Sequence, residues 1–267
     1  MAEFTAKDVA ALRKQTGAGI LDCREALQAT DGNVEDAAQW LREKGKVSAG
    51  KRADRERREG AVAVVVHGAD RPTGAVVALE CETDFVAKSA EFVSLVEEIA
   101  ESVASKGDEA LAGYTGSIEQ LAMVSKENVA LGRTAYFAGG EGSVISSYLH
   151  LQAGRGVNAV LVELTGGSEE LAHDIAVHVA FARPEFLRRE DVPAEVVERE
   201  RQTAAAIARN EGKPEAALDK IVEGRLQGWF KDRCLLDQAY VRDEKQTVAQ
   251  HLGTAELVRF AQVVVGS

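Results

Sequence analysis

Twice in this chain an apolar strand-like run, a turn, a second apolar run and an amphipathic helix follow one another in the same order. In the first half, residues 60–67 and 74–80 read as strands around the turn Gly68-Ala69-Asp70-Arg71-Pro72. Phe92, Val93, Val96, Ile99 and Val103 then recur at helical spacing. In the second half, 143–152 and 156–164 read as strands around Ala153-Gly154-Arg155, and Thr165-Gly166-Gly167 leads to a helix from Glu169 through Ile175 and Val179. Repetition of this kind predicts an α+β chain with a duplicated antiparallel sheet-plus-helix core. Between the two units, 117–123 is predicted helical and 134–137 a further strand.

The corner at residues 80–88 joins a sheet period to a helix period. Thr83 or Asp84 can cap the turn that follows, since a short side-chain oxygen accepts from free N–H groups there. Phe85 has two readings. An aromatic at such a corner either folds back as a local core plug or points outward, and the stretch taken alone favours the plug.

Residues 1–50 predict three short helices. Thr5 caps one containing Val9 and Leu12, and Thr16-Gly17-Ala18-Gly19 interrupts it. A second helical period covers 22–27, and Asn33 with Asp36 opens a third through Ala37, Trp40 and Leu41 in a capping-box pattern. Ile20 and Leu21 follow the Gly-rich turn directly and either close the small bundle or face solvent; periodicity alone slightly favours closure. The run Lys51-Arg52-Ala53-Asp54-Arg55-Glu56-Arg57-Arg58-Glu59-Gly60 mixes both signs and reads as a solvated linker or helix end. Beyond Pro184, residues 194–209 and 215–230 form a predicted antiparallel helical hairpin. Val197, Ala204 and Ile207 are expected to meet Leu218, Ile221 and Leu226, with Pro193 at the first helical position. Residues 234–265 return to short strands, with one helical turn around 247–252.

Two motifs stand out against this frame: Leu12-Arg13-Lys14-Gln15-Thr16-Gly17-Ala18-Gly19-Ile20-Leu21-Asp22-Cys23 and Thr83-Asp84-Phe85-Val86-Ala87-Lys88. In this order and spacing they resemble the two signatures of the elongation factor Ts family, the guanine nucleotide exchange factors of bacterial translation. The resemblance extends over nearly the whole chain. It implies an N-terminal three-helix ubiquitin-associated-like bundle over 1–54 and one core subdomain over 55–139. The second core subdomain would span 140–186 with 235–267, and a protruding helical hairpin 187–234. It implies elongation factor Tu as partner, with Thr83, Asp84, Phe85 and Val86 entering beside the partner's Mg²⁺ and phosphate site. Ile20, Leu21, Arg24, His150, Val241 and Arg242 match further contact positions. For His150 the plain alternative is a strand histidine at a sheet edge.

Departures from the family pattern are local. Glu80 stands where Asn is usual, Arg24 where Lys is usual, and Ser125-Lys126 where an apolar-Gly pair is usual. A structural hydrogen bond at the corner is expected to differ with Glu80, Arg24 keeps the charge but changes its geometry, and Ser125-Lys126 puts in doubt the contacts usually made there. The chain ends at Ser267 without the extra terminal helix of many members, so any affinity that helix contributes is expected to be absent.

Composition narrows the chemistry. With 43 acidic against 32 basic residues and a formal charge of −11, the chain lacks the basic footprint that nucleic-acid binding needs. Cys23, Cys81 and Cys234 are scattered and contain no Cys-x-x-Cys pair, which predicts neither disulfides nor zinc and suits a reducing, cytoplasmic setting. Neither a secretion signal nor an apolar run long enough to span a membrane is apparent. Without a Gly-x-x-x-x-Gly-Lys-Ser/Thr loop, direct nucleotide binding is not expected. His173 and His178 lack metal-site spacing, and no Gly-x-Ser-x-Gly elbow occurs. The expectation is an exchange factor without cofactor or covalent catalysis, dimerising at most through the hairpin. The alternative is a ubiquitin-associated-type adapter with no exchange activity, which would account for residues 1–50 only.

Overall fold

The structure is a computed structural model describing residues 4–50, 52 and 54–266. Expectations placed on Met1, Ala2, Glu3, Lys51, Ala53 and Ser267 lie outside the described residues.

Helix α1 (Ala6–Thr16) begins at a capping box, in which Thr5 Oγ1 accepts from Asp8 N at 3.3 Å and Thr5 N donates to Asp8 Oδ2 at 2.8 Å. It stops at Gly17, whose φ of 69° is a left-handed cap that glycine adopts without steric cost. Helix α2 (Ile20–Ala29) starts immediately after Gly19, two residues earlier than the periodicity predicts. Asn33 opens α3 (Val34–Gly50), its Oδ1 accepting from Glu35 N at 3.0 Å and Asp36 N at 3.2 Å. Leu12, Cys23, Leu27, Ala37 and Leu41 form the small shared core.

The first unit has β1 (Glu59–His67), β2 (Thr73–Cys81), the single turn α4 (Asp84–Ala87), α5 (Ala90–Lys106), α6 (Thr115–Ser125) and β3 (Ala130–Ala138). The second has β4 (Ser143–Gln152), β5 (Arg155–Thr165) and α7 (Glu169–Ala182). Its third strand is delayed by α8 (Ala194–Asn210), α9 (Leu218–Arg233), β6 (Ala239–Tyr240), β7 (Asp243–Thr247) and α10 (Val248–Leu252), and arrives as β8 (Glu256–Val264). Both sheets are antiparallel with the same layout, β1-β2-β3 and β4-β5-β8. The duplication expected from the sequence is therefore topological as well as serial.

Strand alternation decides the layering. Ala61, Ala63, Ala75, Val77 and Leu79 pack with Phe92, Ile99 and Val103 of α5. The intervening Val62, Val76 and Ala78 meet Ile145, Ala159 and Leu161 of the other sheet, while Val160, Val162 and Leu164 lie under Ile175 and Val179 of α7. The result is helix, sheet, sheet, helix. Gly156 permits the close crossing, because a Cβ there would lie 2.1 Å from Val62 O.

The hairpin α8–α9 has a thin seam of Ala204, Val222 and Leu226. Ile207, expected inside, is 44% exposed, and Ala208 is fully buried in its place. Pro193 is the N-cap of α8 and not its first helical residue. The base is held by Arg189, whose Nε and Nη2 donate to the Asp237 carboxylate at 3.0 and 2.6 Å. Cys23, Cys81 and Cys234 are free and buried. Among the described residues, no helix is long and apolar enough to cross a membrane.

Candidate functional site

β2 is buried nearly throughout and delivers the chain to the corner at Cys81. The corner is then fixed from a distance. Glu127 Oε2 accepts from Glu82 N and Thr83 N, both at 3.0 Å, and its Oε1 accepts from Thr83 Oγ1 at 2.5 Å. In return Glu82 Oε1 accepts from Asn128 N at 2.6 Å. Hydrogen bonds to ionised acceptors are the strong ones, so this lattice fixes the backbone just ahead of α4. The departure at Glu80 leaves the lattice intact, since its carboxylate pairs with Arg57 at 3.2 Å. Burial pushes the Cys81 thiol up to about 12, with the nearby Glu127 charge adding, so this sulfur is an inert packing group.

Thr83 caps α4, as one of the two expected residues. Within that turn Ala87 is fully buried, Val86 packs partly on the first core, and Phe85 is 83% exposed. The core-plug reading of Phe85 therefore fails: Ala87 and Val86 occupy the inward positions and the aromatic stands in solvent. Asp84 pairs with Lys88 at 2.5 Å, one turn on. That hydrogen bond, helped by the Lys88 and Arg155 charges, holds the Asp84 carboxyl below the usual carboxylate range. Beside it a cavity of about 390 Å³ is lined by Arg58, Glu59, Asp84, Lys88, Gln152 and Arg155. It brings the corner against the tip of the β4–β5 hairpin, two residues from His150. His150 is exposed on β4, with Tyr148 Oη 3.4 Å from its Nδ1.

The other predicted positions lie elsewhere on the molecule. Ile20 and Leu21 are 52% and 77% exposed in the first turn of α2, so they do not close the bundle. Arg24 is exposed one turn later, and with Ile20 it borders a groove of about 530 Å³ between α1 and α2. Val241 and Arg242 form the β6–β7 turn. This turn is pinned to α7: Val241 N donates to His178 Nδ1 at 3.2 Å, and Arg242 Nη1 bonds Asp174 Oδ1 at 2.5 Å. His178 is almost fully buried, and its Nε2 lies 3.0 Å from Gln238 Oε1. With Nδ1 accepting, Nε2 carries the proton, and burial together with His251 lowers the pKa of the ring. No group of three or more His, Cys, Asp or Glu among the described residues is arranged to hold a metal ion.

Sequence reasoning missed Glu127, Lys88, Arg155 and His178. The signal for Lys88 was present, since an acid and a base four apart face each other on a helix. Glu127 and Arg155 reach their partners across the fold and leave no local pattern.

Comparison with known proteins agrees with this architecture. The family model described as elongation factor TS matches residues 82–267, and the UBA/TS-N domain model matches 22–41, within α2 and the first half of α3. Elongation factor Ts of Streptomyces coelicolor is 42% identical over 286 residues, covering 100% of both chains. That of Clavibacter michiganensis subsp. michiganensis is 43% identical with the same coverage. Elongation factor Ts of Mycobacterium ulcerans is 44% identical over 280 residues, covering 100% of this chain and 99% of its own.

Proposed function

The chain belongs to the elongation factor Ts family of translation elongation factors, and on that premise we propose that it releases GDP from elongation factor Tu so that GTP can bind. One observation supports this reading most: an 83% exposed phenylalanine on a turn whose leading residues, Glu82 and Thr83, are braced by four hydrogen bonds. An exposed aromatic on a fixed support gains by burial in a partner and loses little conformational freedom in doing so. Complete burial of such a ring contributes about 1.5–3 kcal/mol.

In the proposed mechanism Phe85 inserts beside the partner's Mg²⁺ and phosphate site and separates side chains there. Asp84 acts in the same place. Its carboxylate is engaged by Lys88 in the free protein, and that solvent-exposed pair is readily exchanged. Mg²⁺ tolerates little departure from octahedral geometry, so a displaced ligand weakens nucleotide binding. His150 and the β4–β5 tip flank the inserted turn. Ile20, Leu21 and Arg24 on one side, and Val241 and Arg242 on the other, retain the partner while nucleotide leaves. Coupling is reciprocal, so bound GDP weakens the hold on Tu by the factor that this protein weakens the hold on GDP. This chain performs no covalent step.

The test is release of a fluorescent GDP analogue from elongation factor Tu. Catalytic amounts of this protein are expected to accelerate release many-fold in the presence of excess unlabelled nucleotide. Release at the spontaneous rate, with the protein folded, would remove the proposal.

A further inference from the structure

We infer that the three-helix bundle works from a fixed seat on α6, and that the adjacent residues Lys126 and Glu127 set the spacing between the two partner-binding patches. The functional half of this inference rests on the exchange reading above; the seat itself does not.

The seat is a fit of side chains into glycines. A Cβ built on Gly45 of α3 would lie 2.9 Å from Met123 Sδ and 3.1 Å from its Cγ. A Cβ on Gly17, between α1 and α2, would lie 2.9 Å from Val124 Cγ2. Consecutive residues of α6 thus occupy space that two separate parts of the bundle leave open. Polar contacts tie the same seam. Gln120 Nε2 donates to Thr16 O, Arg52 Nη2 reaches Ala122 O at 3.4 Å, and Lys126 Nζ bonds Asp22 Oδ2 at 3.1 Å.

Lys126 is the informative member. It ends α6 in the left-handed region, φ 61°, where glycine is the ordinary choice. Its ammonium holds Asp22, in the turn of α2 that carries Ile20 and Leu21. Its neighbour Glu127 holds Thr83, the cap of the turn that carries Phe85. Two residues adjacent in the chain therefore clamp the two patches that the proposed mechanism uses together. The Lys126 side chain is 67% exposed, so its ion pair is weak and salt-screened. Met123 and Val124 supply the adhesion, and Lys126 sets the rotation of α2. It is a positioning residue.

The geometry offers a direct test. A Cβ on Gly45 would lie 3.7 Å from Met123 Cβ, within the roughly 3.5–4.5 Å that a disulfide requires. The native thiols are buried, so a mild oxidant acts on an introduced pair. In full-length Gly45→Cys/Met123→Cys an intramolecular disulfide is expected to form quantitatively, read by thiol count and intact mass. The oxidised protein should then release GDP from Tu as fast as its reduced form. Lys126→Gly, which keeps the helix stop and removes the clasp, should raise the concentration for half-maximal exchange about two- to fivefold at unchanged maximal rate. Failure of the disulfide to form would overturn the seat. A locked protein slower than its reduced form would overturn the working geometry, and an unmoved half-maximal concentration in Lys126→Gly would overturn the clasp. If the wild-type protein itself releases no GDP, the exchange reading falls and the disulfide alone judges the seat.

Discussion

Glu127 accepts three hydrogen bonds from two consecutive residues, Glu82 and Thr83. Removing it leaves two N–H groups and a hydroxyl to find water beside a half-buried turn. Glu127→Ala is expected to cost about 1.5–3 kcal/mol of stability and to slow exchange through a loosened Phe85. Denaturant melting and nucleotide release measure the two effects separately. At the other end of the molecule His178 holds the Val241 turn only while neutral, because a proton on Nδ1 removes the acceptor and charges a buried ring. Its folded pKa lies below the unfolded value of roughly 6.5, so its contribution is complete above that pH and is lost as pH falls through the folded pKa. Stability should therefore decline on acidification below about pH 6.5, and His178→Phe should flatten that part of the profile. Residue-level legibility was uneven. The capping by Thr5, Asn33 and Thr83 is local chemistry and was readable. The direction of Phe85 was not, because a four-residue helix is too short to display a period.

Among the elements, the hairpin is the most separable. Its seam is only a few side chains deep, and its anchorage lies below Arg201 and Glu223, which pair across it at 3.7 Å. Gln227 and Phe230 belong to the base, where they contact Arg189. A replacement of residues 202–222 by a short Gly/Ser link is therefore expected to leave folding and exchange largely intact. Exchange lost in a folded deletion would show that the tip of the hairpin reaches the partner. The strands were legible because their apolar runs are bounded by glycine and proline. Two things about them were hidden. β3 starts at Ala130, four residues before the apolar run 134–137, because its first residues pair with Leu79 and Glu80 beyond a bulge. The packing of one sheet on the other was also hidden, since β2 is apolar on both faces and gives no sign of what covers the second. Ile207 looked inward by spacing, but the seam between α8 and α9 is narrow enough to admit Ala208 instead.

At the scale of the whole molecule, the two signatures in the sequence fall on separate bodies, the bundle and the first sheet unit, which meet at α6. Ile20, exposed in the first turn of α2, should tolerate a charge structurally but not in a complex. Ile20→Asp is expected to leave the melting curve in place and to weaken Tu binding by roughly tenfold, the loss of one partly buried aliphatic side chain. A melting transition that collapses instead would mean Ile20 is needed by the fold. Whether Phe85 acts in the partner or in its own core is decided by one variant. Phe85→Ala should change stability by less than about 0.5 kcal/mol, as expected of a surface position, where a buried phenylalanine would cost about 3–5 kcal/mol. At saturating concentration the same protein should release GDP roughly tenfold or more slowly, with Tu still bound through the bundle and the Val241 turn. A stable Phe85→Ala protein that releases GDP at the wild-type rate would contradict the insertion mechanism.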